Sequence, residues 1–385
     1  MTTTIDNEQK TLNVPNLRFP EFEGEWEECK LGDVAMVVGG GTPDTNNHKY
    51  WNGDIQWFTP SEIGRDKYVT NSLRTISEEG LNKSSAKLLP IGTILLSSRA
   101  TVGECSINKV ECTTNQGFQS LIPKEYFSKE FVFYLMQTKR KELIRKSCGS
   151  TFLEISANEV RKIKIAVPTS KEQEKISKLL ALLDERISTQ NKIIEDLKKL
   201  KSTISKKLLD NDRWTTHKIQ DIAKIGRGRV ISSVEIERQK HPLYPVYSSQ
   251  TSNDGIMGYL DDYMFDGEYI TWTTDGANAG TVFYRKGKFN CTNVCGTLKI
   301  QPKYDCYFVS LVLQQATQKY VSFNLANPKL MNNIMASIKI KMPDIEMQKQ
   351  LSKIFQTLDS CLLVHQRTCD MYSREKQYLL CQMFI

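Results

Sequence analysis

A long segment in the middle of the chain alternates apolar and polar residues with the period of a paired helix. Between residues 169 and 212 the sequence has no Gly or Pro and is rich in Lys, Glu, Leu and Ile. Apolar residues recur at alternating intervals of four and three, interrupted at Gln190 and Lys201, which is a heptad pattern. The pattern predicts a coiled-coil helix that pairs through Ile176, Leu180, Leu183, Ile187, Ile194, Leu197, Ile204 and Leu208.

The same pattern returns near the carboxyl end of the sequence, at an offset of 175 in residue number. Its polar interruptions, His365 and Lys376, fall at the positions equivalent to Gln190 and Lys201. The predicted pairing residues of this second helix are Leu351, Phe355, Leu358, Leu362, Cys369, Tyr372, Leu379 and Met383. The alternative is that each helix packs against its own domain instead of against the other helix.

The order of elements along the chain predicts how the helices pair. The first helix leads from one domain to the next, and the second begins after Pro343, at the end of the second domain. Helices that pair within one chain must then run antiparallel. About 39 residues at roughly 1.5 Å each give a length of about 55–60 Å, which would set a distance between two domains.

The rest of the chain also consists of two related copies. The segment that begins at Trp26 matches the one at Trp214, at an offset of 188 in residue number. Ile163-Lys-Ile165 matches Ile338-Lys-Ile340, at an offset of 175. The first copy therefore carries extra residues, mainly between Trp26 and Gly103, as variable surface loops would. A period this long indicates a duplicated domain and not a solenoid.

Short apolar segments separated by turn signals predict mixed strands within each copy, with short helices at 129–145 and 307–321. Because strands and helices do not alternate regularly, an α+β fold is favoured over a doubly wound sheet. We therefore expect an α+β protein with two tandem domains separated by a pair of long antiparallel coiled-coil helices and a pseudo-two-fold internal repeat. The predicted divisions are a disordered N-terminus at 1–14, domains at 15–168 and 213–343, and helices at 169–212 and 344–385.

Composition adds modest constraints on the partner and compartment. A net charge of +8 is compatible with a polyanionic partner, although many basic proteins bind no nucleic acid. The ten cysteines show no pairing rhythm, which favours reduced thiols and a cytoplasmic protein. Cys291 and Cys295 have no second pair at zinc-site spacing, so packed thiols are favoured over a metal. No apolar run is long enough for a membrane span.

Polar side chains suited to DNA contacts cluster around glycines in both copies, although polar loops occur on any soluble protein. Arg pairs with guanine edges, Asn and Gln pair with adenine, and hydroxyl groups contact phosphates or bases. The candidate contacts of the first copy are Thr42, Lys49, Trp57, Ser61, Ser97, Ser98, Arg99, Thr101, Asn115 and Gln116. Those of the second copy are Arg227, Arg229, Ser248, Ser249, Gln250, Thr273, Thr274, Asp275 and Asn278.

No sequence motif for catalysis stands out. Asn327-Pro-Lys329 lacks the second Pro and the aromatic residue with which an adenine methyltransferase holds a flipped base. A phosphate-binding loop ending at Gly287-Lys288 would need Gly where Val282 stands. The four histidines have no metal-ligand spacing, so we predict no metal and no cofactor. A non-catalytic protein is thus favoured over an enzyme.

Several short motifs, in family order, resemble those of type I restriction–modification specificity subunits. The matching segments of the first copy are Trp26-x3-Lys-Leu-Gly-Asp33, Gly40-Gly-Thr-Pro43, Tyr50-Trp-Asn-Gly53 and Thr114-Asn-Gln-Gly-Phe118. Those of the second are Tyr244-Pro-Val-Tyr247, Phe265-Asp-Gly-Glu-Tyr269 and Asp275-Gly-Ala277. The pattern Pro-x4-Gln followed by Leu-Asp, at Pro168–Asp184 and Pro343–Asp359, is similar to the start of that family's spacer helices.

The resemblance implies a function. Each domain would be a target-recognition domain for one half of a split, asymmetric target in double-stranded DNA. The helices would fix the unread gap and recruit two methyltransferase subunits, which bind S-adenosylmethionine, and motor-nuclease subunits would join to cleave unmodified DNA. Because the copies share little outside their anchors, the half-sites should differ. The alternative is a coiled-coil protein-binding scaffold without DNA specificity.

Overall fold

The computed structural model describes residues 13–149, 153–209, 213–322 and 327–385, with the backbone alone at 208 and 209. These residues form two compact units. Unit 1 comprises residues up to Gln190 together with Thr368–Ile385, and unit 2 comprises Asn191–Arg367. Most of the predicted disordered segment 1–14 lies outside the described residues; the described part includes Asn13, whose carbonyl accepts the Trp26 N–H (2.7 Å).

The described residues of unit 1 form three sheets. Their strands are β1 (Glu27–Lys30), β2 (Ala35–Gly39), β3 (Trp51–Phe58), β4 (Tyr68–Val69), β5 (Arg74–Ile76), β6 (Ile94–Leu96), β7 (Cys105–Asn108), β8 (Cys112–Thr114), β9 (Gln119–Pro123) and β10 (Lys164–Val167). One sheet has five strands in the order β2-β9-β6-β7-β4, and a second has three in the order β5-β3-β8. The third consists of β1 and β10. Strand β6 is buried throughout. The sheets therefore place buried strands beside the polar segments at 97–104 and 115–117.

The helices of unit 1 pack against both of its larger sheets. They are α1 (Leu31–Val34), α2 (Glu78–Asn82), α3 (Lys129–Arg145), α4 (Ala157–Arg161) and the first part of α5 (Ser170–Leu209). Helix α3 begins at Ser128, whose hydroxyl accepts the Phe131 N–H (3.3 Å), and it buries a continuous apolar run from Phe131 to Met136. Trp26 is 2% exposed and belongs to the same core.

Unit 2 repeats this plan with fewer elements. Its strands form a four-stranded sheet in the order β12-β18-β15-β16, a three-stranded sheet in the order β14-β13-β17 and the pair β11-β19. The strands are β11 (Thr215–Lys218), β12 (Ala223–Arg227), β13 (Tyr244–Tyr247), β14 (Ile256–Leu260), β15 (Glu268–Thr273), β16 (Val282–Lys286), β17 (Asn290–Cys291), β18 (Cys295–Ile300) and β19 (Lys339–Met342). The helices are α6 (Ile219–Ile222), α7 (Ser233–Glu237), α8 (Cys306–Ala316), α9 (Asn332–Ser337) and α10 (Ile345–Gln382), which ends in unit 1.

Strand register confirms the duplicated domain. In unit 1, Lys30 pairs with Lys164 in the antiparallel ladder between β1 and β10. In unit 2, Lys218 pairs with Lys339 in the ladder between β11 and β19. These residues are equivalent at the two sequence offsets of 188 and 175. The predicted helix 129–145 is α3, and the predicted helix 307–321 is α8 followed by a 3-10 turn at Thr317–Tyr320.

A glutamine fixes the entry to each long helix. The Gln173 side chain donates to the Pro168 carbonyl (2.9 Å) and accepts the Ser128 N–H (3.1 Å). Gln348 makes the equivalent bonds to the Pro343 carbonyl (2.8 Å) and from the Asp305 N–H (3.0 Å). Both glutamines are buried. The Pro-x4-Gln pattern in the sequence therefore joins the last strand of each domain to its helix and to the helix before it.

The long helices pair antiparallel in each unit. In unit 1, Asp184 of α5 bonds Lys376 of α10 (2.6 Å), and Leu380 and Phe384 share a core with Ile176 and Leu180. Residue numbers therefore rise along α5 as they fall along α10, so these two helix segments are antiparallel. In unit 2, Lys201 pairs with Asp359, and Ile204 packs against the core that contains Leu351 and Phe355.

The predicted pairing faces are the less exposed sides of both helices. The described members that are buried are Ile176, Leu180, Leu183, Ile194, Leu351, Phe355, Cys369 and Met383, and the half-buried ones are Ile187, Leu197, Ile204, Leu358, Leu362, Tyr372 and Leu379. The side chain of Leu208 lies outside the described part of the structure. The predicted α+β class with two long antiparallel helices is confirmed, whereas the domain boundaries at 15–168, 169–212, 213–343 and 344–385 remain predictions.

Candidate nucleic-acid interface

In unit 1 a polar loop follows β6 and closes on itself. The Ser97 N–H donates to the Glu104 carbonyl (2.9 Å), and the Gly103 N–H donates to the Ser97 carbonyl (3.0 Å). Ala100 and Gly103 have positive φ angles of 58° and 84°, which turn the backbone between these bonds. We call residues 97–104 loop L1. Thr101, between the two turns, is exposed.

Unit 2 has the same loop after β15. The Thr273 N–H donates to the Thr281 carbonyl (3.0 Å), and the Gly280 N–H donates to the Thr273 carbonyl (2.9 Å). Gly276 and Gly280 supply the positive φ angles, 94° and 83°. We call residues 273–281 loop L2. Half-buried Asn278 lies within it.

Three predicted contacts of unit 1 lie beside L1. The segment 115–117 bonds the loop through the Gly117 carbonyl, which accepts the Ser98 N–H (2.8 Å). A Cβ at Gly40 would stand 2.0 Å from the Asn115 carbonyl oxygen, so this close approach requires glycine. Thr42, two residues on, donates its hydroxyl to the Gln116 side chain. Thr42, Asn115 and Gln116 therefore form one polar surface next to L1.

In unit 2 a group of charged side chains surrounds L2. Asp275 accepts a hydrogen bond from Arg227 (3.4 Å) and from the Thr274 hydroxyl (2.9 Å), and it pairs with Lys329 (3.5 Å). Arg227 also donates to the Thr274 hydroxyl (3.1 Å). Two cations thus face one carboxylate, so the group has a net positive charge of one, and the exposed Arg227 is held in a fixed orientation.

A second loop of unit 2, residues 248–255, is fixed by the buried Arg285. The Arg285 guanidinium is 3% exposed, donates to the Asp254 side chain (3.1 Å) and carbonyl (2.9 Å), and stacks on Tyr247 at 3.6 Å. Burial lowers the pKa of Arg285. Asn278 of L2 donates to the Ser249 carbonyl (3.2 Å), so this loop and L2 are bonded together.

The predicted contact Arg229 is held by Glu235 of α7. It forms two hydrogen bonds to the Glu235 carboxylate, and this hydrogen bonding raises the pKa of Arg229 and lowers that of Glu235. Both side chains are partly exposed. Arg229 therefore remains charged at neutral pH and is held at the surface.

Five of the predicted DNA contacts are buried: Trp57, Ser97, Ser98, Thr273 and Thr274. Trp57 is 4% exposed, and its indole N–H donates to the Gly41 carbonyl (2.9 Å). These side chains support the loops from below. The partly or fully exposed members of the predicted set are Thr42, Lys49, Ser61, Arg99, Thr101, Asn115, Gln116, Arg227, Arg229, Ser248, Ser249, Gln250, Asp275 and Asn278.

The sequence did not single out several side chains that fix this surface. Arg285 bonds Asp254 (3.1 Å), and Glu154 reaches Arg99 (2.8 Å), although the partners in each pair are far apart along the chain. No local motif marks such long-range pairs. An alignment of the two copies would have given one signal for these residues. Glu154 and Lys329 are equivalent at an offset of 175 in residue number, which is also the offset between the two long helices.

Among the described residues, the cysteines and histidines form no metal-holding group. Cys291 and Cys295 are buried and free, and burial raises the pKa of both thiols. No group of three or more His, Cys, Asp or Glu side chains in the described ranges is arranged to hold a metal ion. No helix among the described residues is long and apolar enough to cross a bilayer.

The two units have the same loop framework, and each contains an antiparallel pair of long-helix segments, which defines a duplicated protein. The model of the type I restriction modification DNA specificity domain matches residues 23–199 and 211–369, one match for each copy. The chain therefore belongs to that family. The prediction of a type I DNA specificity subunit is confirmed by this match and by the relatives' names.

Individual relatives agree with the family assignment. A type I restriction enzyme specificity subunit of Methanocaldococcus jannaschii is 38% identical over 180 residues, which are 46% of this chain and 42% of that one. A Mycoplasma pneumoniae chain, named as a candidate type I specificity subunit, is 36% identical over 241 residues, 60% of this chain and 89% of its own length. The crystal structure of the type I S subunit from M. genitalium has the same fold, with a TM-score of 0.70 at 16% identity over 97% of this chain and 99% of that one.

Proposed function

We propose that the chain recognises a split, asymmetric target in double-stranded DNA, with one half-site for each unit. The observation that carries the proposal is that L1 and L2 share one hydrogen-bonded framework and differ in their side chains. L1 presents the exposed Thr101 where L2 presents the exposed Ala277. Equal frameworks with unlike surfaces favour two recognition elements of different specificity.

The exposed side chains around each loop are suited to different parts of DNA. In unit 1, L1 carries the exposed Thr101, and beside it lie the exposed Gln116 and the half-buried Thr42. The exposed Lys49 lies on the 3-10 helix His48–Tyr50. Amide groups such as that of Gln116 match adenine edges, and Lys matches phosphates. In unit 2 the exposed Arg227 can make bidentate contacts with guanine or phosphate, next to Gln250 and Asn278.

The proposal extends to partners and place. Two methyltransferase subunits that bind S-adenosylmethionine would be recruited through the paired helices and would methylate adenine in the target. Motor-nuclease subunits would join the same complex. Support comes from the family and from exposed apolar side chains on the helices, among them Leu182, Leu200, Ile354 and Met371. The free cysteines and the proposed DNA target favour a cytoplasmic location for this complex.

Mapping methylated adenines tests the proposal directly. Genomic DNA would be sequenced for methylated adenine in cells that express the methyltransferase subunits with and without this chain. We expect methylation at one split motif, and only when the chain is present. Methylation that does not depend on the chain, or that follows no motif, would refute the function.

Salt dependence separates DNA recognition from a protein-binding scaffold. A protein that contacts several phosphates loses affinity for duplex DNA steeply as salt increases, with a slope of about −0.9 per phosphate in log–log form. The assembled complex should show such a slope on a duplex that contains the mapped motif. A scaffold would show almost none.

A further inference from the structure

Two ion pairs at equivalent positions of the two units have their charges exchanged. In unit 1, Arg99 binds Glu154 with an N–O distance of 2.8 Å. In unit 2, Lys329 binds Asp275 at 3.5 Å. Arg99 is equivalent to Asp275 and Glu154 is equivalent to Lys329, so the cation and the anion have changed places. We call these the loop ion pairs.

The backbone around the loop ion pairs is the same in both units. Arg99 and Glu154 form an isolated antiparallel bridge, and so do Asp275 and Lys329. In unit 1 the residue after Glu154 bonds the loop, because the Ile155 N–H donates to the Ser98 carbonyl (3.1 Å). In unit 2 the residue after Lys329 does the same, because the Leu330 N–H donates to the Thr274 carbonyl (2.9 Å). The exchange of charge thus occurs on one shared framework.

Each loop ion pair stands immediately before the turn of its loop. Arg99 precedes Ala100, a non-glycine residue with a φ of 58°, and Asp275 precedes Gly276, with a φ of 94°. A non-glycine residue holds such a φ only when its surroundings fix it. The hydrogen bond from the Ser97 N–H to the Glu104 carbonyl closes the base of L1, and the ion pair lies two residues before Thr101.

A direct role of these side chains in base recognition fits the exchange poorly. A cation at position 99 would favour phosphate or guanine, whereas the anion at position 275 would repel phosphate. Both units retain a pair of opposite charges, although the positions of the cation and the anion are exchanged. We propose that the loop ion pairs are positioning elements, which hold L1 and L2 in the conformation that presents their exposed side chains to DNA. This inference rests on the proposed function of the two loops.

Unit 1 is the cleaner place for the test, because Asp275 in unit 2 also bonds Arg227 and Thr274. The variants are Arg99→Asp, Glu154→Lys and the double variant, which copies the polarity of unit 2. Glu159→Lys is the matched control, since Glu159 of α4 pairs at the surface with Lys162, the residue after that helix, and 39% of the Glu159 side chain is exposed. Surface pairs contribute little to folding, so we expect the Tm of all four to shift by under about 3 °C.

Amide hydrogen exchange measures the positioning without any DNA. In the full chain with its methyltransferase subunits, each single variant should speed exchange within residues 97–104 by about 10-fold. The double variant and Glu159→Lys should exchange within about threefold of the unchanged chain. A double variant as fast as the single variants would overturn the inference, because charge complementarity would then not be what holds the loop.

DNA binding measures the consequence for specificity. The probes are a duplex with the target mapped by methylation and two duplexes with one half-site scrambled. Each single variant should lose about 10-fold of the discrimination against one scrambled half-site and none against the other, and the double variant should recover it. Equal loss at both half-sites would overturn the inference. If the unchanged complex discriminates nothing while the exchange pattern holds, the proposed function fails and the positioning role of the pair stands.

Discussion

Lys376 of the second long helix binds Asp184 of the first at 2.6 Å, and the same carboxylate accepts the Tyr134 hydroxyl of α3 (2.6 Å). Both side chains of the ion pair are about four-fifths buried, at 18% and 21% exposure. Burial raises the pKa of Tyr134, so this phenol remains a donor at any physiological pH. One carboxylate therefore connects both helices to the domain in unit 1.

Unit 2 contains the equivalent set at the offset of 175. Asp359 binds Lys201 and accepts the Tyr307 hydroxyl (2.6 Å). The two lysines are among the four residues that interrupt the apolar heptads, and each of them pairs with an aspartate of the other helix. A polar residue at a pairing position fixes the register of a coiled coil at some cost in stability. These pairs set one antiparallel register.

Removing the lysine of unit 1 tests this register. Lys376→Met leaves the largely buried Asp184 carboxylate without its Lys376 partner, and we expect a loss of about 2 kcal/mol in the free energy of unfolding, measured with urea. Lys349→Met is the matched control on the same helix, because its pair with Glu346 is 59% and 75% exposed, and it should change stability little. Equal effects of the two substitutions would mean that Lys376 does not fix the helices.

Lengthening both helices tests whether they set the gap in the target. Seven residues added between Asp184 and Lys201, and seven between Asp359 and Lys376, preserve the heptads and both ion pairs. Seven residues add ~10 Å of helix, so the unread gap should grow by about three base pairs at ~3.4 Å each. Methylation mapping gives the new motif. An unchanged gap would argue against a spacing role, and a matched insertion in α5 alone should impair the complex.

Arg285 should control one half-site alone. Arg285→Lys retains the charge and loses the paired donors to Asp254, so loop 248–255 should loosen. We expect about a 10-fold weaker preference for the half-site of unit 2, measured with the scrambled duplexes, and no change for the other. Arg238→Lys, at an exposed arginine of the same unit, serves as the control. A Tm decrease together with loss at both half-sites would indicate misfolding instead.

Thiol reactivity tests the burial of the cysteines. Burial raises the pKa of Cys105, Cys112 and Cys306 to about 12 each, so at pH 8 these groups are protonated and enclosed. The thiolate is the nucleophile, so they should react with maleimide at least ~100-fold more slowly than exposed Cys361 and Cys381. Mass spectrometry of labelled peptides gives the rates. Rapid labelling of Cys112 in the folded chain would contradict this core.

The periodic features of the chain were predictable from its sequence, because they repeat locally. The heptads of α5 and α10, the helix at 129–145 and the duplicated strands all follow patterns within a few residues. The lysine interruptions at 201 and 376 were visible as departures from the pattern. Their partners, Asp359 and Asp184, could be assigned only once the antiparallel register was known.

The candidate site was less predictable. Ser98 and Thr274 have the hydroxyl groups and glycine-rich context of surface residues, but segments much further along the chain cover them, through Ile155 and Leu330. Burial of a small polar side chain depends on which distant segment packs over it, and local composition does not encode that. The same reason explains why Arg285 and the loop ion pairs were not foreseen.

The most direct test of the central claim exchanges one copy of the duplicated domain. Residues 214–340 are replaced by the equivalent segment of a family member with a different target, and methylated adenines are mapped in cells that contain the same methyltransferase subunits. Our account predicts that one half of the methylated motif changes while the other half and the gap remain. A change in both halves, or in neither, would contradict recognition of one half-site by each unit.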